Sequence, residues 1–311
     1  VKTALGGGEA TITQALHGDD IRKTPRMGGI IVWGSALATI LIVYLVSKIF
    51  PSDATIKLDF LSRNQTWLPL FTLIVTALVG LVDDWLVVRD SGSYVGGGLS
   101  LTKRLLAVLA VAIVGAWWFY TKLDVSSITI PFMGEWMLGL WFIPLFIICM
   151  IGIYSGGIID GVDGLSGGIF SVMFSSYAII AYQHNQIDLA AFCMVLVGGL
   201  LAFLWFNIPP ARFFLSETGS MALTTTLVVV AFLTKSVGVL PIIAFPLIAT
   251  TASSIIQIAS RKLRNGKKVF LVAPLHNHFQ AKGWPPYKVT MRYWIMSVMF
   301  AALGIIISLI G

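Results

Sequence analysis

Two pairs of carboxylates follow apolar segments of the chain. Asp83 and Asp84 come directly after the apolar run 73–82. Asp160 and Asp163 are three residues apart, which places both on one face of a helix, and nearby glycines permit close approach of a ligand. Carboxylates at an apolar boundary need a metal ion or a basic side chain. The first pair therefore predicts a nearby counter-charge, with an ordinary helix end facing water as the alternative. The second pair predicts a site for a phosphate or a sugar, with glycine-mediated helix packing and solvated Asp residues as the alternative.

A further carboxylate and two histidines extend this pattern. Glu217 lies in the turn FLSETGS before an apolar helix, and a helix N-terminus suits a phosphate; simple helix capping is the alternative. His276 and His278 alternate in a segment beginning at Pro274. We predict that this segment is extended, so that both imidazoles face the same way and contact phosphate oxygens or relay a proton. The alternative is a pair of surface histidines.

These five carboxylates come from three separate loops and predict one composite site. Mg²⁺ is the expected cofactor, because it prefers oxygen ligands and is usually held by one or two carboxylates together with substrate phosphates. Phosphoryl transfer needs mainly alignment and charge neutralisation, for which carboxylates with a metal ion and basic side chains are suited.

The composition shows which elements must position these residues. The chain has 311 residues, of which 57% are hydrophobic and only 11% charged, and its mean hydropathy is +0.88. Long apolar runs without two-residue alternation predict membrane-spanning helices. We predict an all-α, polytopic membrane bundle forming a single domain over 1–311, with 1–23 as a cytoplasmic N-terminal segment. The nine predicted spans are 28–49, 66–82, 104–121, 140–158, 167–183, 190–207, 220–234, 237–259 and 291–310.

The basic residues predict the orientation of the bundle, since Lys and Arg are retained on the cytoplasmic side of short loops. With 1–27 inside, all but five of the 21 basic residues are cytoplasmic; the exceptions are Lys48, Lys57, Arg63, Lys122 and Lys235. The same orientation places every carboxylate of the predicted site inside. A basic cytoplasmic face explains the net charge of +7 without nucleic acid. On the outside, 122–139 is predicted to form a small hairpin.

Five ordered motifs carry a family resemblance. They are TPRMGG, VGLVDDW, DGVDGLSGG, FNIPPARFFLSETGS and APLHNHFQAKGWPP followed by MRYW. The chain resembles the polyprenyl-phosphate N-acetylhexosamine-1-phosphate transferases, and its histidine loop favours their phospho-N-acetylmuramoyl-pentapeptide transferase branch. The resemblance implies a ten-helix homodimer in the bacterial inner membrane, of which this chain lacks the first helix. It implies Mg²⁺-dependent transfer of phospho-MurNAc-pentapeptide from a UDP-sugar donor to undecaprenyl phosphate, with release of UMP.

The resemblance also implies roles for individual residues. The catalytic set would be Asp83, Asp84, Asp160, His276 and His278. Glu217 stands at the position of the family's metal-binding Asp, and the Asp pair would share in handling the metal or the diphosphate. The substrate-binding set would be Thr24, Lys103, Asp163, Asn207 and Phe214, with Phe214 stacking on the uracil base and Lys103 near the lipid phosphate. We expect Asp84→Asn to abolish turnover and leave the fold intact.

Four positions depart from the family pattern: Glu217 replaces Asp, Asn277 interrupts a run of histidines, Gly157 replaces Asn and Val87 replaces Lys. Three alternatives therefore stay open. They are the sibling branch that uses UDP-N-acetylglucosamine, a non-catalytic homologue that binds lipid phosphate, and an intramembrane prenyltransferase with Asp-rich motifs. A transporter is less suited, because charges within the apolar spans are scarce.

Overall fold

The computed structural model describes residues 24–52, 66–89 and 98–311, together with 55 and 59. The described chain is mainly helical, which confirms the all-α prediction. Three short 3₁₀ segments flank the helices, at Gly139–Trp141, Ser155–Ile159 and Val237–Val239. The α-helices are α1 Gly29–Ile49, α2 Trp67–Val88, α3 Leu101–Lys122, α4 Phe142–Tyr154, α5 Leu165–Gln183, α6 Ile187–Asn207, α7 Ser216–Leu233, α8 Leu240–Ile243, α9 Phe245–Leu263, α10 Leu275–Ala281 and α11 Pro286–Ile310.

Within the described ranges, eight helical segments are long and apolar enough to cross a membrane. A ninth span exists only if α8 and α9 are counted together, because they meet at an angle of 71°. The span predicted at 237–259 is therefore present only as a bent pair of helices. Pro246 follows the break at Ala244 and has no N–H to donate to the carbonyl of Ile242, so the helix cannot continue through it.

A small antiparallel hairpin lies at the end of the bundle away from the carboxylates. Strand β1 spans Ser127–Ile130 and β2 spans Gly134–Met137, with Ser127 opposite Met137. This confirms the hairpin predicted from the run of Val, Ser, Ile and Thr residues.

The core of the bundle is formed around α5 and α7, whose side chains are mostly buried. One hydroxyl of α7 links the helix to its neighbour: Thr225 donates to the carbonyl of Met221 at 2.8 Å and lies 3.0 Å from the hydroxyl of Thr76 in α2. Helices α2 and α7 approach closely at Gly80, where a Cβ would collide with the backbone of Glu217. This close contact brings the end of α2 to the beginning of α7.

Candidate active site

The Asp pair lies at the end of α2 and is almost completely buried, with 1% exposure at Asp83 and none at Asp84. Asp84 accepts hydrogen bonds from the backbone N–H of Thr218 at 2.9 Å and, more weakly, from that of Glu217 at 3.4 Å. These N–H groups belong to the first turn of α7, which has no capping side chain of its own. Asp84 therefore caps α7 from a neighbouring helix.

Arg104 connects the other two carboxylates of this group. Its Nη1 donates to Glu217 Oε1 at 2.6 Å, its Nε donates to Asp83 Oδ1 at 3.2 Å, and its Nη2 lies 3.2 Å from Asp83 Oδ2. The backbone N–H of Leu99 also donates to Asp83, at 2.6 Å. Two acidic side chains from different helices thus share one guanidinium.

Sequence reasoning missed Arg104 and selected its neighbour Lys103, which is exposed. The spacing of buried residues along α3 could have identified Arg104. Arg104 lies four and seven residues before the buried Val108 and Val111, so it points to the same packed face. The role predicted for Lys103 stays a prediction.

Asp160 lies at the end of the 3₁₀ segment that follows α4. It accepts hydrogen bonds from the Ser166 hydroxyl at 2.6 Å and from the backbone N–H of Ser216 at 2.7 Å. Loss of solvent through burial raises the pKa of Asp160, while these two bonds and the positive charge of Arg26 act in the opposite direction. Asp160 therefore fixes the turn that leads into α7.

These groups surround a polar cavity of about 250 Å³. Four of the predicted site residues line it, and Arg26 and Arg104 add two positive charges. The lining side chains relevant to chemistry are Arg26, Asp83, Arg104, Asp160, Phe214, Ser216 and Glu217. The cavity therefore combines acidic, basic and aromatic groups.

The segment that begins at Thr24 runs alongside one wall of this cavity. Pro25 O accepts from the N–H of Phe214 at 3.0 Å, and Gly28 N–H donates to the carbonyl of Phe214 at 2.8 Å. Thr24 is half-buried next to this pairing, and Arg26 projects into the cavity. Substrate binding by Thr24 stays a prediction. Arg26, two residues further along the chain, lines the cavity.

Asn207 and Asp163 join two loops behind the cavity. Asn207 accepts from the N–H of Gly164 at 2.9 Å and donates to the carbonyl of Phe213 at 2.8 Å. Asp163 accepts from the N–H of Ala211 at 3.0 Å. Both side chains form hydrogen bonds with backbone groups of the loop that leads to Phe214. Their predicted contacts with the nucleotide stay predictions.

The two histidines do not face the same way. The segment predicted to be extended is helix α10, so residues two apart point in different directions. His276 is buried, and its Nε2 lies 2.7 Å from the position of a Cβ on Gly161. His278 instead accepts the N–H of Leu271 at 3.1 Å. Only His276 is brought against the DGVDG loop, and the prediction of a parallel pair is wrong.

Two residues of the cavity could serve as ligands of a divalent metal ion. No group of three or more His, Cys, Asp or Glu side chains in the described ranges is arranged to hold a metal by itself. Asp83 and Glu217 nevertheless both line the cavity. Since Mg²⁺ is commonly held by one or two carboxylates with waters and substrate phosphates, these two residues can hold it once a diphosphate supplies further oxygens.

Two of the four departures from the family pattern also lie around the cavity. Gly157 lines its wall, and a Cβ there would make only ordinary contact with Ser220, so a side chain would fit. The missing side chain leaves space in the wall. Glu217 is one methylene longer than Asp and pairs with Arg104. Both positions thus lie where a side chain would affect the shape or the charge contacts of the cavity.

The family model for glycosyl transferase family 4 matches residues 66–235, which contain most of the cavity. The chain is 32% identical over 300 residues to a phospho-N-acetylmuramoyl-pentapeptide-transferase of Chloroflexus aurantiacus, covering 92% of this chain and 77% of the relative. Relatives of the same name from Geobacillus thermodenitrificans and Levilactobacillus brevis are 34% and 31% identical. The matches cover 92% and 91% of this chain and 84% and 83% of those relatives.

Together with the apolar helices, these similarities define a multi-pass membrane enzyme that transfers a glycosyl or phospho-sugar group. The five-motif resemblance is confirmed, because the chain exceeds 30% identity to these relatives over nearly its whole length. The chain belongs to glycosyl transferase family 4.

Proposed function

We propose that the protein transfers phospho-MurNAc-pentapeptide from UDP to undecaprenyl phosphate, forming lipid I and UMP in peptidoglycan synthesis. The observation that carries this proposal is the cavity in which Asp83, Glu217 and Arg104 meet beside Phe214. The names of the relatives supply the donor class. We place the site on the cytoplasmic side of the bacterial inner membrane, because the basic residues favour that orientation, and we expect a homodimer.

The reaction moves one phosphoryl group. An oxygen of the carrier phosphate attacks the sugar-linked phosphorus of the donor, and the bond from that phosphorus to the UMP oxygen breaks. A phosphate monoester has a second pKa of about 6, so the carrier is largely ionised at neutral pH. The main task of the protein is therefore to bring two anions together and to neutralise them.

The residues of the cavity are suited to this task. Arg104 and Arg26 provide positive charge for phosphate oxygens, and Phe214 offers a ring face for a base. Asp83 and Glu217 would hold Mg²⁺, which would add charge neutralisation when bound. Asp84 and Asp160 hold the backbone at the start of α7, so that these groups keep their positions.

Measurement of UMP release tests this proposal directly. Purified protein would be supplied with undecaprenyl phosphate and either UDP-MurNAc-pentapeptide or UDP-GlcNAc, with and without Mg²⁺. We expect release from the first donor only, dependent on Mg²⁺, and loss of release in Glu217→Gln. Release from UDP-GlcNAc alone would assign the protein to the sibling branch. No release from either donor would favour a homologue that binds lipid phosphate without turnover.

A further inference from the structure

Arg104 occupies the position at which a cation would contact both Asp83 and Glu217. The shortest of its contacts, 2.6 Å to Glu217 Oε1, is a strong charge-assisted hydrogen bond. The contact with Asp83 Oδ2 is longer, at 3.2 Å, and that oxygen accepts no hydrogen bond. Two carboxylates that face one cavity are thus already neutralised in part by a side chain of the same protein.

A guanidinium and a divalent ion compete for these oxygens. Mg²⁺ binds carboxylate oxygens at about 2.0–2.1 Å and demands near-octahedral geometry, which leaves little room for a guanidinium on the same oxygen. The two cations would also repel each other. Metal binding therefore requires that Arg104 move away from Glu217.

Arg104 is more exposed than Asp83 and borders the cavity into which it would move. Its side chain is 20% exposed, whereas that of Asp83 is 1% exposed and is further held by the N–H of Leu99. The guanidinium borders the cavity and is planar, with paired donors that match phosphate oxygens. Movement from the carboxylates to a phosphate keeps it paired with negative charge.

We propose that Arg104 is a cation surrogate. It pairs with Asp83 and Glu217 when no metal ion is bound to them, and it binds the donor diphosphate instead when a metal ion takes its place. This inference rests on the proposed function for the identity of the diphosphate. It assigns Arg104 as a positioning residue that couples metal binding to donor binding. Because such coupling is reciprocal, a diphosphate should also increase the affinity for the metal.

Binding of Mn²⁺ to the purified protein, followed by electron paramagnetic resonance at pH 8 without donor, tests this competition. Arg104→Met keeps much of the apolar stem and removes the charge. Loss of one charge-assisted contact corresponds to about a ten-fold change or more, so we expect Mn²⁺ to bind Arg104→Met at least that much more tightly than wild type. Arg89→Met is the matched control, because Arg89 is exposed and lies over Trp85. Its Mn²⁺ affinity should equal that of wild type.

Two further measurements complete the test. Arg104→Lys retains a positive charge but cannot contact both carboxylates as a planar fork, so its Mn²⁺ affinity should lie between those of wild type and Arg104→Met. Added UDP should tighten Mn²⁺ binding in wild type by a larger factor than in Arg104→Met.

Equal Mn²⁺ affinities in wild type and both Arg104 variants would overturn the inference, as would an absence of binding in all of them. A structural role alone would not raise metal affinity. Because the titration uses neither donor nor carrier, its result is independent of UMP release. Tighter binding in Arg104→Met without transferase activity in wild type would support the competition and reject the proposed function.

Discussion

The capping of α7 by Asp84 predicts that this residue contributes to stability as well as to turnover. Asn retains one acceptor oxygen, but its amide group would face one of the two backbone N–H groups. Ala would leave both N–H groups without an acceptor. The expectation that Asp84→Asn leaves the fold intact is therefore joined by an expected loss of stability.

The size of the effect follows from two opposing contributions. A hydrogen bond to a charged group contributes about 1.5–3 kcal/mol, and a carboxylate at a helix N-terminus adds about 0.3–1 kcal/mol. Removal of the charge also relieves repulsion from Asp83 and Glu217. We therefore expect Asp84→Asn to lower the free energy of unfolding by about 1–2 kcal/mol and Asp84→Ala by about 2–4 kcal/mol.

Unfolding by SDS in mixed micelles, monitored by tryptophan fluorescence, would measure these differences, with UMP release assayed on the same preparations. Asp124→Asn is the control, because it removes a carboxylate from an exposed turn where Asn tolerates the positive φ of 53°. Its stability should stay within about 0.5 kcal/mol of wild type. If Asp84→Ala unfolds at the same SDS concentration as wild type, the capping role is refuted.

Four other variants are predicted to have distinct effects. Phe214→Ala should weaken donor binding about five-fold to 150-fold, measured by calorimetry, since stacking of one base contributes about 1–3 kcal/mol; an unchanged affinity would exclude stacking. Gly80→Ala should lower the SDS midpoint and abolish UMP release, because its Cβ would strike the backbone of α7. Gly198→Ala is the control: no atom lies within 4 Å of its Cβ position, so it should resemble wild type. Asp160→Asn should become more stable relative to wild type as the pH rises above about 4. Burial raises the pKa of Asp160, so its ionisation opposes folding in wild type. A difference in unfolding free energy that does not change with pH would contradict this sign. His278→Gln should reduce the loss of stability that accompanies a fall in pH below about 6.5. Burial and Lys282 lower the pKa of His278, so its protonation opposes folding. An unchanged dependence of the SDS midpoint on pH would count against this.

The convergence of the acidic residues could be predicted from the sequence. Alternating spans return the ends of α2 and α6 and the beginnings of α5 and α7 to one face of the bundle. Hydropathy alone therefore placed the carboxylates from three loops together. The fold class depended on the same signal, which is strong because lipid requires every spanning segment to satisfy its own backbone.

The details that the sequence left open depend on angles that composition does not fix. A shift of one residue turns a helix by about 100°, which separates the exposed Lys103 from Arg104 in the cavity. Helix α10 has seven residues, too few for hydrophobic periodicity to distinguish it from an extended loop. The break before α9 had a visible cause in Pro246, but the average hydropathy of the segment concealed it.

The contacts divide the carboxylates of the site into two groups with different physical tasks. Asp84, Asp160 and Asp163 accept backbone N–H groups and hold α7 and the adjoining loops in place. Asp83 and Glu217 share a guanidinium at the cavity wall, and Asp83 also accepts the backbone N–H of Leu99. Removal of a carboxylate in the first group should disturb geometry, whereas removal of one in the second should disturb charge balance. The replacement of Asp by Glu at 217 falls in the second group, where an added methylene changes the reach of a charge without loosening the backbone.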